Sequence, residues 1–199
     1  MALSSVDHMP ASSTRDRILD VTQRLIQAQG FSGFSYADVA DAVGIRKASI
    51  HHHFPTKGDL ALALMVRYRQ RFAGALDVIH HDHASAPARL GRYQQLFVDV
   101  LRDDHRLCMC GMLAADFAAL PSPVRREVRA FFDDNESWLT GVLAEGVKRK
   151  ELVLRGAAEA QARVILSAFE GAMLVARSHR DVGHFTLVAE QAIANVTRA

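Results

Sequence analysis

The segment that follows Gly44 contains several closely spaced hydrogen-bond donors. Lys47 can donate to guanine acceptors or to phosphate, and Ser49 can donate or accept at either kind of partner. Ala48 is small enough to permit close approach and contact with a thymine methyl group. His51 can donate one hydrogen bond, or carry a charge when it is protonated. These side chains suit contact with double-stranded DNA.

Two short helices around a tight turn would position these side chains. Ser35 with Asp38 three residues later is a capping box, which predicts a helix start. Gly44 adopts left-handed dihedral angles without a Cβ penalty, so it predicts the end of that helix. Pro55 ends the second helix, because the residue before a proline is pushed out of the α region. This layout is typical of a helix-turn-helix, whose second helix enters the major groove.

Residues 15 to about 71 resemble the N-terminal domain of the tetracycline-repressor (TetR) family of transcription factors. The residues that carry the resemblance are a first amphipathic helix with Ala28 and the Gly30-Phe31 stop, Asp38-Val39-Ala40, Gly44-Ile45, Lys47 to Ile50, His53-Phe54, Lys57 and Leu60.

The resemblance implies DNA contacts by side chains around the second helix of the motif. These residues are Tyr36, Arg46, Lys47, Ala48, Ser49, His51, His52 and Lys57. In TetR-like proteins the position of His51 is usually Tyr and touches phosphate. Arg46 stands where the family often has a Ser cap, so it weakens the cap and offers a second cation to DNA.

The charge distribution favours a local DNA-binding face over a generally basic surface. The 199 residues have a formal net charge of only +2. In residues 1–71, nine Lys and Arg stand against six Asp and Glu, so this part alone carries +3. No apolar run is long enough to span a bilayer, and the first residues lack the basic start and apolar core of a secretory signal. We therefore expect a cytoplasmic protein without a membrane partner.

Helical periodicity dominates the chain and predicts an all-α protein. We expect a disordered arm at residues 1–13, a three-helix helix-turn-helix DNA-binding domain at residues 14–60, and a helical ligand-binding and dimerisation domain at residues 61–199. Long helices are predicted at residues 57–79, 88–102, 123–150, 157–179 and 185–197. The polar stretch from His80 to Pro87 is predicted to be a loop.

The resemblance also implies an effector pocket and a dimer interface in the larger domain. The expected pocket lining is apolar and aromatic, which suits a small, largely apolar effector: Leu96, Phe97, Cys108, Met112, Leu113, Phe117, Trp138 and Phe169. The last pair of long helices would form a four-helix bundle with a second copy through Phe131, Trp138, Val164, Ala168, Gly171, Ala172 and Val175. The alternative is that these apolar stripes form only the core of one chain.

Cys108 and Cys110 allow two interpretations. A thiolate at Cys108 could react with electrophiles if His105 and Arg106 lower its pKa, and several TetR-like regulators of reactive compounds have a Cys near this point. Alternatively, one or both are small buried hydrophobic residues. A disulfide between them would close a very small, strained ring.

Runs of histidine raise the alternative of a metal protein or a small helical enzyme. Successive helical residues point about 100° apart, so His51 to His53 cannot all face one ion. His80, His81, Asp82 and His83 offer four possible ligands, but an exposed polar loop is the favoured interpretation. No nucleophile with a base and an orienting group is apparent in the sequence. We therefore expect no enzyme activity, no cofactor and no metal site.

These features predict a ligand-responsive transcriptional repressor that binds a palindromic operator as a homodimer. One short helix reads too few bases for specificity, and a dimer doubles the contacts. A small effector would release the operator by changing the separation of the two DNA-binding domains through the long helix that begins at Lys57.

Overall fold

The computed structural model describes residues 13–197, which form nine α-helices. Their bounds are α1 (Thr14–Gln29), α2 (Tyr36–Val43), α3 (Lys47–His53), α4 (Lys57–Asp82), α5 (Ala86–Arg102), α6 (Met109–Ala115), α7 (Ser122–Lys148), α8 (Ala158–His179) and α9 (Val182–Ala194). Within these residues there is no strand, and one isolated antiparallel bridge joins Leu152 to Thr197. The all-α prediction is confirmed. The arm predicted at residues 1–13 lies outside the described residues, apart from Ser13.

Helices α1 to α3 form the small domain as their local signals predict. The side chain of Ser35 accepts the Asp38 amide, and the Asp38 carboxylate accepts the Ser35 amide, so the capping box is complete. Gly44 ends α2 in the left-handed region, with φ 76°. The side chains that these three helices bury together include Ile18, Ile26, Val39, Ile50 and Phe54.

Helix α4 is longer than predicted, because it continues through His80 and His81 to Asp82. Neither His breaks a helix, and rings that can become cationic suit a helix C-terminus. Helix α5 begins two residues earlier than predicted. Ser85 caps it, and Pro87 occupies its first turn, where a missing N–H costs nothing.

Ion pairs join α4 to both parts of the molecule. Arg67 pairs with Asp20 of α1 at 2.8 Å. Two residues further on, Arg69 pairs with Glu127 and Asp134 of α7, each at 2.7 Å. Helix α4 therefore connects α1 with the larger domain through side chains as well as through the backbone.

The larger domain packs α8 against both α7 and α9 around an aromatic core. Tyr93 stacks on Trp138 and on Phe169, with ring centroids 5.4 and 5.7 Å apart. The Tyr93 hydroxyl donates to Asn135 Oδ1 at 3.0 Å, which satisfies both polar groups in the buried core. None of the described helices is long and apolar enough to cross a membrane.

Helix α9 runs from Val182 to Ala194, whereas the sequence predicted residues 185–197. Asp181 caps its first turn by accepting the Gly183 amide at 2.8 Å. Arg180 takes a left-handed conformation with φ 52° and separates α9 from α8. The earlier start follows from this cap, which the apolar periodicity did not register.

Candidate nucleic-acid interface and internal cavity

Helix α3 presents most of the predicted DNA contacts on one exposed element. Arg46, Lys47 and Ala48 are exposed at its start, and Ser49 is half-buried. Ile50 is fully buried and anchors the helix to the small domain. Arg46 is the N-cap residue of α3 but forms no side-chain cap hydrogen bond, so its guanidinium is not used to cap the start of the helix. The first turn of α3 therefore offers two cations beside a small side chain, which suits contact with base edges and phosphates.

Two exposed imidazoles extend this surface at His51 and His52. Nδ1 of His51 lies 3.2 Å from the Pro55 carbonyl oxygen, which accepts a hydrogen bond when that nitrogen carries the proton. In that tautomer the other ring nitrogen is an acceptor. Contact between His51 and a phosphate then requires the doubly protonated imidazolium ring.

Tyr36 and Lys57 make contacts within the small domain. Tyr36 is buried, with its ring centroid 4.8 Å from that of His51, and Lys57 is half-buried. The Tyr36 hydroxyl donates to the Phe54 carbonyl at 2.8 Å, and burial raises the pKa of Tyr36 to about 12. Lys57 Nζ donates to the Phe34 carbonyl and lies 4.1 Å from the centre of the Phe34 ring. Desolvation lowers the pKa of Lys57. Both side chains therefore hold the small domain together in this structure.

We expect Lys57→Met to destabilise the protein without changing its electrostatic contact with DNA. The substitution leaves the Phe34 carbonyl without its donor and removes the cation–π contact, which together cost about 1–3 kcal/mol of unfolding free energy. Urea unfolding measures this loss. A titration of operator affinity against salt should keep the wild-type slope. A slope smaller by about two units, one for each chain of the dimer, would show that Lys57 contacts phosphate after all.

A cavity of about 400 Å³ that is partly open to solvent lies between α6, α7 and α8. Its lining is mainly apolar, and of the eight predicted pocket residues Cys108 and Met112 line it. The residues around it are Leu107, Cys108, Gly111, Met112, Ala114, Phe132, Glu136, Leu166, Ser167, Glu170, Gly171, Met173 and Leu174.

The other predicted pocket residues do not line this cavity. Phe97, Leu113 and Phe169 are buried in the core. Leu96, Phe117 and Trp138 are partly buried and pack against the core. The sequence prediction missed Glu170, the acidic residue in the cavity wall closest to Cys108. Its signal was present, because Glu170 interrupts an otherwise apolar stretch of α8 between Phe169 and Gly171.

Cys108 and Glu170 form a buried, coupled pair at this cavity. Burial raises the pKa of Glu170 well above its usual range. Hydrogen bonds from the Cys110 thiol and the Gly111 backbone amide lower the pKa of Cys108 to about 6. Since Glu170 stays protonated while Cys108 ionises, the one negative charge of the pair near neutral pH lies on Cys108.

The cause of the low Cys108 pKa differs from the one that the sequence suggested. Arg106 pairs with Asp103, and His105 is not among the causes of the shift. Cys110 is a buried thiol with Sγ 3.9 Å from Met65 Sδ, and burial raises its pKa. Only Cys108 of the two cysteines lines the cavity.

We expect a small electrophile such as iodoacetamide to modify Cys108 in the folded protein and to spare Cys110. The reagent would enter through the cavity, and the reaction rate should rise as the pH passes through about 6 and level off above it, because the thiolate is the nucleophile. Intact-mass and peptide analysis would show a single adduct, absent in Cys108→Ser. Modification only after denaturation would identify an inert thiol.

The exposed side of α8 carries apolar side chains at helical spacing. Val164, Ala168, Gly171 and Val175 are spaced by four, three and four residues, so they lie along one stripe. Val164 is 56% exposed and Val175 is 41% exposed. A Cβ at Gly171 would meet no described atom within 4 Å. Apart from Ala168, which is partly buried against the core, this stripe is open surface in a single chain.

The remaining residues predicted for the dimer interface lie deeper. Phe131 is 1% exposed and packs on Tyr68 and Phe72, so it belongs to the core of one chain. Ala172 is also buried, and Trp138 is partly buried. The intramolecular alternative therefore applies to these positions and not to the α8 stripe.

Helix α6 links the cavity to the small domain at both of its ends. The Leu107 amide, just before α6, donates to the Gln27 carbonyl of α1 at 3.2 Å. At the other end, the Asp116 carboxylate accepts the Ser32 amide at 3.0 Å. Displacement of α6 by a molecule in the cavity would therefore pull on the end of α1.

The histidine runs do not assemble a metal site in the part of the chain that the structure describes. Residues 13–197 contain no group of three or more His, Cys, Asp or Glu side chains placed to hold one ion. His80 and His81 are exposed in the last turn of α4, with ring centroids 5.8 Å apart.

Comparison with known proteins matches both halves of the chain. Residues 18–64 match the bacterial regulatory proteins of the tetR family, and residues 92–191 match the C-terminal domain of LmrA/YxaF-like transcriptional regulators. The uncharacterized HTH-type transcriptional regulator YxaF of Bacillus subtilis is 27% identical over 189 residues, which cover 89% of this chain and 92% of that protein.

Solved structures extend the similarity over the whole fold. A TetR-family transcriptional regulator from Agrobacterium tumefaciens is 37% identical, with a TM-score of 0.90 over 93% of this chain and 98% of that one. A TetR transcriptional regulator from Legionella pneumophila is 30% identical, with a TM-score of 0.87 over 95% and 100% of the two chains. The chain therefore belongs to the TetR family of DNA-binding transcriptional regulators, which are not enzymes.

Proposed function

We propose that this protein is a cytoplasmic, ligand-responsive repressor that binds a palindromic operator as a homodimer and is released by a small effector. The observation that carries the proposal is the double attachment of α6. This helix forms one wall of the cavity, and hydrogen bonds from Leu107 and to Asp116 tie it to the end of α1.

In this proposal residues 14–60 contact DNA and residues 61–199 bind the effector and the second chain. Arg46, Lys47, Ala48, Ser49, His51 and His52 are the contacting side chains. The exposed α8 stripe supports dimerisation, because a second copy would remove Val164 and Val175 from water. Two copies of α3 then meet successive major grooves, which requires an operator with twofold symmetry.

The effector acts by its preference for one position of α6. A molecule in the cavity contacts Met112 and Cys108. Any shift of α6 is passed to α1 through the Leu107–Gln27 hydrogen bond and to the turn after α1 through Asp116. Since α1 carries α3 with it, the spacing of the two recognition helices changes. A ligand that contacts both positions of α6 equally would leave DNA affinity unchanged.

A footprinting experiment on the DNA upstream of the gene tests the proposal. We expect protection of a sequence with twofold symmetry, whose half-site centres lie about 34–36 Å apart along the helix. A reporter gene placed behind that sequence should be expressed less when the protein is present. Protection without twofold symmetry would contradict the dimer, and increased expression would contradict repression.

A further inference from the structure

The cavity combines an apolar wall with negative charge. Glu136 and Glu170 are its acidic residues, and no Lys, Arg or His occurs among the described residues that line it. Glu136 is already paired with Arg163 at 3.0 Å. Glu170 has no such partner, so it is the group that a ligand would meet.

Glu170 is half-buried, and its carboxyl group is incompletely bonded. Its Oε1 atom is inaccessible to water and has no hydrogen-bond partner within residues 13–197. Gly111 faces the same carboxyl group, and a Cβ at that position would collide with its Oε2 atom. The close approach of the Gly111 backbone thus leaves room for the carboxyl group at the cavity wall.

We propose that the ligand of this cavity is an amine or quaternary ammonium compound with apolar substituents, whose cationic nitrogen lies against the Glu170 carboxyl group. The inference rests on the proposed function for the role of the cavity as the effector site. It goes further by giving the chemical class of the effector.

Energetics favour a cation over neutral or anionic ligands of the same size. The cavity already holds one negative charge, on Cys108, and a cation placed beside Glu170 would favour ionisation of that carboxyl group as well. A neutral ligand leaves the Cys108 charge unbalanced, and an anionic ligand adds a second negative charge. The Phe132 ring and the polarisable sulfurs of Met112 and Met173 suit contact with the apolar substituents and with the groups bonded to the ammonium nitrogen.

Affinity for the cation should rise between about pH 5 and 7. The titratable groups around Glu170 are Cys108 and Cys110 near α6, Tyr68 of α4, Tyr93 of α5 and Glu136 of α7. Burial raises the pKa values of both tyrosines and of Cys110, so these groups stay neutral. Cys108 gains its negative charge as the pH passes about 6, and the cavity attracts the cation more strongly once that charge has formed.

Calorimetric titration of the full chain with three octyl compounds tests the proposal. At pH 7.5 we expect n-octyltrimethylammonium to bind about tenfold or more tightly than n-octanol, and n-octanoate to bind weakest. Glu170→Gln should lose about tenfold or more in affinity for the cation, while its affinity for n-octanol should stay within about twofold. The retained n-octanol binding shows that the variant is folded.

Glu159→Gln provides the matched control, because Glu159 is exposed on the same helix and does not line the cavity. It should bind all three compounds as the wild type does. Cys108→Ser should still bind the cation, with its pH dependence moved upward, since the charge must then form on Glu170. Equal affinity of the wild type for n-octanol and the cation would overturn the proposal, and so would undiminished cation binding by Glu170→Gln.

A release assay with operator DNA separates this inference from the proposed function. If the cation binds in the calorimeter but leaves the operator bound, the ligand class stands and the effector role of the cavity fails. If n-octanol or n-octanoate releases the operator and the cation does not, the cavity is the effector site and the cationic class is wrong.

Discussion

The double variant Val164→Glu, Val175→Glu is expected to sediment as a monomer and to lose about three orders of magnitude or more in operator affinity. Both side chains lie on the exposed α8 stripe, so each dimer interface would receive four carboxylates without partners. A monomer presents one α3 helix, and the second half-site then contributes nothing. Analytical ultracentrifugation and fluorescence anisotropy with labelled operator measure the two effects.

Val78→Glu is the matched control for this prediction. Val78 is 58% exposed, as apolar and as accessible as Val164, but it lies on α4. This variant should remain dimeric and bind operator normally. A wild-type protein that is monomeric at micromolar concentration would contradict the interface, and so would a double variant that stays dimeric.

Lys47→Ala is expected to lower operator affinity by about 1–3 kcal/mol for each half-site if the ammonium group contacts a base. The dimer carries the change twice, so the total loss would be about 2–6 kcal/mol. Binding to a scrambled duplex should weaken much less, because base contacts carry the sequence information. Anisotropy titrations with both duplexes measure the difference.

Lys148→Ala removes the same charge from an exposed position on α7 and serves as the control. Its operator affinity should match the wild type. If Lys47→Ala weakens both duplexes equally, Lys47 contacts phosphate only. If it weakens neither, α3 is not the recognition helix.

Local signals in the sequence were sufficient to predict the helix-turn-helix. The capping box at Ser35 and Asp38 and the turn at Gly44 depend on residues within a few positions of one another. The exposure of Ala48 and His52 follows from the burial of Ile50, because residues two positions apart on a helix project about 200° from each other. These features need no knowledge of distant contacts.

Distant contacts decide the positions where the sequence was insufficient. Lys57 turns toward the Phe34 carbonyl, which is 23 residues away in the sequence. Residue spacing alone therefore could not test the DNA contact that the family resemblance implies for Lys57. The position of Glu170 at the cavity depends on the close approach of Gly111 from another helix. The predicted pocket gave too much weight to aromatic residues, several of which fill the core instead.

The two arginines of α4 restrict how this helix can move. The side chains at positions 67 and 69 project about 200° apart around the helix axis. Arg67 forms an ion pair with α1 on one side, and Arg69 forms ion pairs with α7 on the other. Turning α4 about its own axis would break the pairs on both sides at once. Pivoting or sliding along its length keeps the two arginines facing their partners. Motion that passes between the effector domain and the DNA-binding domain should therefore be a tilt of α4, with its rotational angle held fixed.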